Sequence, residues 1–157
     1  MRFINKQQHT TSCGPVAAIN AVKWAGGKLA YREILGLFKT LCWNSSAGRG
    51  QYPKYMSSNL NLFGLKYKKM SYPKISDIEA ALDKGNGVIL CYKWYQDNKT
   101  SGHYVFIDKH TPKYFNAYNS TLDGNPKESK NELRKWMRSS KIHNTMHPQM
   151  WEIVRDE

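Results

Sequence analysis

Residues 102–120 read GHYVFIDKHTPKYFNAYNS. From Gly102 the chain alternates as a strand does, with His103, Val105 and Ile107 on one face and Tyr104 and Phe106 on the other. KYFNAYN alternates in the same way after His110-Thr111-Pro112, which has turn chemistry. The stretch is therefore an antiparallel hairpin. Both of its faces are otherwise apolar, which sets His103 at the edge of a core. If the turn is centred on Thr111, the numbers of opposed residues sum to 222. His103 then faces Asn119 at about 5 Å between Cβ atoms. Asn116 falls opposite Phe106, on the other face.

Working outward, GVILCYKWY (87–95) is a strong strand, and ISDIEAALDKG (75–85) is a short helix closed by Gly85. LKYKKMSY (65–72) alternates, with Leu65 and Tyr67 opposed to Lys66 and Lys68. Downstream, KESKNELRKWMRSS (127–140) has a helical pattern and QMWEIV (149–154) closes the chain as a strand. The first third is different. A helix is expected from Gly14 to Ala25, with Pro15 in its first turn, Ser12 or Gly14 as cap and Gly26-Gly27 as its end. Its Ala17, Ala18 and Ala21 suit close packing on several sides. A second helix fits Tyr31 to Leu41, on the spacing of Ile34, Leu35 and Phe38, and a third fits Lys54 to Phe63. Trp43 to Gly50 reads as a loop. Helices first and a mostly antiparallel sheet later make an α+β domain, and residues 1–157 fit one domain.

Three cysteines, Cys13, Cys42 and Cys91, are too few and too widely spaced for a disulfide framework or a zinc site. Cys91 lies inside an apolar strand and Cys42 follows a helical pattern, so both read as packing. Cys13 stands at a helix start. There the dipole lowers a thiol pKa, a neighbouring imidazolium lowers it further, and Gly14 leaves room for a substrate backbone. A helix-start cysteine can also be plain packing, and a lone strand histidine is more often structural. Together, Cys13 as nucleophile, His103 as base and Asn119 as the group orienting the imidazole form the set that acyl transfer needs. The backbone N–H of Cys13 is one natural oxyanion donor, and the side chain of Gln7 or Gln8 is a second.

The run from Gln7 through SCGPVAAINAVKWAG, followed by GHYVFIDKHTPKYFNAYNS, resembles the papain-like peptidases that process bacteriocin leaders at double glycines, and their stand-alone relatives. That resemblance implies a papain-like fold and a cysteine peptidase activity. It selects Gln7 over Gln8, because the family has a Gln six residues before Cys-Gly. It assigns the base to His103 in Gly102-His103, and the third member to Asn119, about sixteen residues after the histidine. ISDIEAALDKGNGVIL matches the helix and strand that precede the histidine, and KESKNELRKWM with QMWEIV matches the closing helix and strand. The chain departs from the pattern in two places: Ser12 stands where the family often has Asp, and Asn119-Ser120 where it often has Asp-Pro. Asn is the third member in papain itself, so the departure is compatible with the same chemistry and bears on substrate choice.

Composition narrows the partners. Lys and Arg number 24 against 12 Asp and Glu, a formal net charge of +12. That charge reads first as a solvated surface, and second as attraction to an anionic partner such as cell wall or an acidic protein. No zinc-finger spacing, phosphate-binding glycine loop or basic-aromatic motif points to nucleic acid. His143 and His147 have i, i+4 spacing, but Asn144 and Pro148 disfavour a helix there, and His9 reads as loop decoration. No cofactor and no metal are expected. No apolar run approaches the ~20 residues of a membrane span, and the N-terminus lacks a signal-peptide core. Cytoplasmic synthesis follows as the expectation, with release by lysis or packaging in a particle as further routes. The substrate class is a peptide or protein. Peptidoglycan peptide hydrolysis, acyl or peptidyl transfer on the same triad, and a binding role on a disused scaffold are the alternatives.

Overall fold

The computed structural model describes residue 3 and residues 13–26, 53–96, 99–118, 125–140 and 147–155. The first helix, α1, is Cys13–Trp24, and α2 is Pro53–Leu62. β1 is Lys66–Ser71, α3 is Ile75–Asp83, β2 is Gly87–Gln96, β3 is Lys99–His110 and β4 is Tyr114–Tyr118. A short β5, Lys127–Ser129, leads directly into α4, Lys130–Ser140, and β6 is Gln149–Val154. The expected helix over Tyr31–Leu41 and loop over Trp43–Gly50 lie outside the described residues, as do Gln7, Cys42, Asn119 and His143.

The strands form one six-stranded sheet in the order β1-β6-β2-β3-β4-β5, with every described pairing antiparallel. Strand alternation divides the core into two. On one side Ala17, Ala18 and Ala21 of α1 and Met56 and Leu60 of α2 pack on Ile89, Cys91, Tyr104, Phe106 and Trp151. On the other, Ile75 and Ile78 of α3 and Leu133 and Met137 of α4 pack on Val88, Leu90, Tyr92, Val105 and Ile107. The three alanines bring the α1 backbone close to the sheet, and Cys91 is fully buried there. Gly87 marks another close approach: a Cβ on it would stand 3.0 Å from the Phe106 ring and 3.3 Å from Trp24. Gly26 and Gly85, at φ of +91° and +84°, follow the ends of α1 and α3 in the left-handed conformation that suits glycine.

Two expectations need correction. The hairpin is not centred on Thr111: Phe106 pairs with Tyr118 and Ile107 with Ala117, whereas Lys109 pairs with Asn116 and His110 with Phe115. A bulge between Ile107 and Lys109 takes up one extra residue. The turn runs over Thr111–Tyr114, where the Thr111 N–H donates to the Tyr114 carbonyl at 2.8 Å and the Tyr114 N–H to Thr111 Oγ1 at 3.1 Å. Phe106 therefore faces Tyr118 rather than Asn116. The helix expected over 127–140 begins only at Lys130, because Lys127–Ser129 pairs with Tyr114–Asn116 as an edge strand.

Candidate active site

Cys13 is the first residue of α1, and the first turn of that helix carries no acidic residue. The N-terminal end of the dipole is thus not opposed by a carboxylate in that turn. The C-terminal end of α1 is fixed by Trp24. Trp24 lies 6.1 Å from the Phe106 ring and against Gly87. From there the helix runs back about 16 Å to Cys13, at ~1.5 Å per residue. His103 lies only about 10 Å along β3 from Phe106, at ~3.4 Å per residue. The helix packs chiefly on β3.

His103 is 2% exposed. It pairs with Tyr92 across β2 and β3, and the two rings meet edge-on at 5.9 Å and 82°. Tyr92 is fully buried, and its far side meets the half-buried Trp136 of α4 at 5.8 Å. His103 thus belongs with Val105 and Ile107 on the α3–α4 side, as its alternation predicts. α1 covers Tyr104 and Phe106 on the opposite side. The helix and the imidazole lie on different sides of β3. Near His103 one edge of β3 is occupied by β2, and the described pairing with β4 reaches only as far as Phe106.

Asn116 is engaged elsewhere. Its Nδ2 donates to Asp108 Oδ1 at 2.9 Å and to the Tyr118 hydroxyl at 3.0 Å, and that hydroxyl donates to Asp108 Oδ2 at 3.4 Å. Burial, and then the Asp108 carboxylate, raise the Tyr118 phenol above its ordinary pKa. Tyr118 also packs on Phe3 and Phe106, which places this clasp on the α1 side of the hairpin. Asn116 therefore lies on the face away from His103, as the alternation requires.

Two features escaped the sequence reading. Tyr92 and Trp136 as neighbours of His103 follow from the β2–β3 register, in which Val88 pairs with Ile107 and Tyr92 with His103. GVILCYKWY carried the signal, had its pairing with GHYVFID been counted. The second is a polar cluster at the far end of β3. The Lys130 ammonium donates to Glu79 Oε2 at 2.7 Å and to His110 Nδ1 at 2.9 Å, over the Phe115 ring. An ammonium can only donate, so His110 carries its proton on Nε2 and gives it to Asp83 Oδ1 at 2.8 Å. His147 stacks on Tyr72 at 4.7 Å. Among the described residues no group of three or more His, Cys, Asp or Glu side chains could hold a metal ion, and no helix is long and apolar enough to cross a membrane.

No family model matches the sequence, and no curated protein matches it. The architecture does have a counterpart. A crystal structure of a provisionally assigned C39-like peptidase from Bacillus anthracis superposes with a TM-score of 0.67. The alignment covers 99% of this chain and 96% of that one. The fold is papain-like, of the C39 kind. At 10% identity the likeness is one of fold. The C39-like architecture agrees with the α+β class expected from the sequence, with helices leading and an antiparallel sheet following.

Proposed function

We propose that the chain is a cysteine peptidase. The observation that carries this reading is the C39-like fold, and an acid-free helix start at Cys13 and a buried His103 on β3 support it. In this reading the Cys13 thiolate, paired with the His103 imidazolium, attacks a peptide carbonyl. The tetrahedral oxyanion is held by the Cys13 N–H and the side chain of Gln7. His103 then protonates the leaving amine and activates the water that releases the acyl-enzyme. The reading requires Cys13 Sγ to meet the imidazole round the edge of β3 that faces away from β2.

Asn119 is the proposed orienting residue. The Ile107–Ala117 register, continued by two residues along β4, would set Asn119 against Val105. Relative to the arrangement expected from the sequence, the offset is two residues. By strand alternation an even offset would keep Asn119 on the His103 side, whereas a slip of one would move it to the other.

The proposed substrate is a peptide or protein, taken by residues 1–157 acting as one domain. The test is a mixed peptide library incubated with wild type, Cys13→Ala and Gln7→Ala. Wild type should generate new termini, Cys13→Ala none, and Gln7→Ala should be slower by about a hundredfold or more, in kcat rather than KM. Added amines captured in the products would convert the reading to acyl transfer. The net charge of +12 motivates a parallel arm with Gram-positive sacculi. Release of peptide termini from sacculi, with the library left intact, would make the target cell wall. Turnover by Cys13→Ala equal to wild type would overturn the reading.

A further inference from the structure

The environment of His103 is more specific than burial alone requires. A buried strand histidine could be surrounded by aliphatic side chains, like the rest of its face. Instead, the residue directly across from it is the fully buried Tyr92, whose ring stands 82° to the imidazole at 5.9 Å. Tyr92 cannot yield sideways, because Trp136 stands against it at 5.8 Å from the α4 side. Trp136 is itself fixed by α4, whose Leu133 and Met137 are anchored in the same core. The sequence β2–Tyr92–Trp136–α4 is thus a wall on the β2 side of the imidazole.

A general base needs one ring orientation. The imidazole turns about two soft torsions, and each wrong setting aims both nitrogens away from the thiol. Tyr92 occupies the space on one side of the ring, so the remaining arc points toward the edge of β3 away from β2. That is the edge from which the proposed reaction requires Cys13 and Asn119 to approach. An edge-on aromatic contact also has a preferred geometry, so it selects one orientation and does more than fill space.

We propose that Tyr92 is a positioning residue for His103, backed by Trp136, and that it acts on catalysis only through the imidazole. The inference rests on the peptidase reading. It takes no proton and touches no substrate. Its effect should therefore appear in the reactivity of Cys13 and in kcat, with KM unmoved.

The test needs no known substrate. Alkylation of each cysteine by iodoacetamide is followed by mass spectrometry against pH, for wild type, Tyr92→Phe, Tyr92→Leu, Trp136→Leu and His103→Ala, with folding of each checked by circular dichroism. Tyr92→Leu should slow Cys13 alkylation near pH 6 by about tenfold and move the pH midpoint upward, the upper end of what one aromatic pair is worth. Tyr92→Phe, which keeps the ring, should stay within about twofold of wild type, and Trp136→Leu should fall between them. Should Tyr92→Leu fail to fold, the half-buried Trp136→Leu carries the same test. A folded Tyr92→Leu with an unchanged Cys13 profile overturns the positioning role alone. His103→Ala with an unchanged Cys13 profile overturns the peptidase reading, and this inference with it.

Discussion

On the side of the sheet covered by α1 and α2, the contacts are made by small and apolar groups: three alanines, Met56, Leu60, Phe106 and Trp151. On the side covered by α3 and α4, the apolar core is flanked by the titratable groups His103 at one end and Glu79, Asp83, His110 and Lys130 at the other. The difference shows how one sheet serves two tasks. The first side holds a helix close and fixes where its N-terminus falls. The second side can house histidines because neighbouring elements bring partners for them: Asp83 of α3 and Lys130 of α4 for His110, and Tyr92 of β2, backed by Trp136 of α4, for His103.

If the α1–α2 side is the mechanical one, the largest loss of stability should come from emptying it. Trp151 is fully buried there, and its indole N–H donates to Ser57 Oγ at 2.9 Å. Trp151→Ala should cost about 3–5 kcal/mol in urea unfolding. On the other side Glu79→Ala should cost about 2 kcal/mol, because it removes the carboxylate partner of the buried Lys130 ammonium. Lys130→Met should cost about 1 kcal/mol or less, since it removes the buried charge as well. A Glu79→Ala variant as stable as wild type would show that the polar cluster contributes nothing. The division between the two sides would then lose its energetic basis.

How much of this was legible in the sequence differs between the same two sides. Alternation in GHYVFID assigned His103, Val105 and Ile107 to one face correctly, and the alanines of α1 announced a close helix–sheet contact. The pairing register was not legible. Alternation fixes only whether a residue is odd or even along the strand, and the bulge between Ile107 and Lys109 adds a residue that no local propensity marks. Lys127–Ser129 could not be told from the start of α4. Three residues carry no period, and only pairing with Tyr114–Asn116 makes them a strand. For the candidate site, the sequence offers Gln7, Cys13, His103 and Asn119 as residue types in a chain order, and Gln7 and Asn119 lie outside the described residues. The side from which α1 approaches β3 was not legible, because it depends on which face of the sheet each helix covers.

A smaller effect sharpens the comparison on the hairpin that joins the two sides. The Tyr118 phenol has a folded-state pKa raised above its ordinary value of 10.0 by burial and by Asp108. The fold thus favours the neutral phenol. That contribution is whole below the unfolded-state pKa and is lost as pH rises through the higher folded-state pKa. Stability measured by urea unfolding should therefore fall on the alkaline limb, starting near the ordinary tyrosine value, and Tyr118→Phe should flatten that limb. Cys13 reactivity near neutral pH should be the same in Tyr118→Phe as in wild type, because the clasp lies away from the His103 face. A changed Cys13 profile would show that the two sides of the hairpin are coupled.

In the proposed arrangement a helix start on one side of β3 and a histidine on the other meet round the edge of β3 that faces away from β2. The most direct measurement is the Cys13 Sγ to His103 ring-nitrogen distance in a crystal structure of the wild-type protein, with the thiol unmodified. The expected distance is about 4 Å or less, with the Asn119 amide on the far nitrogen of the ring. A Cys13 thiol turned into the Tyr104 and Phe106 core, with the sheet between it and the imidazole, would contradict it.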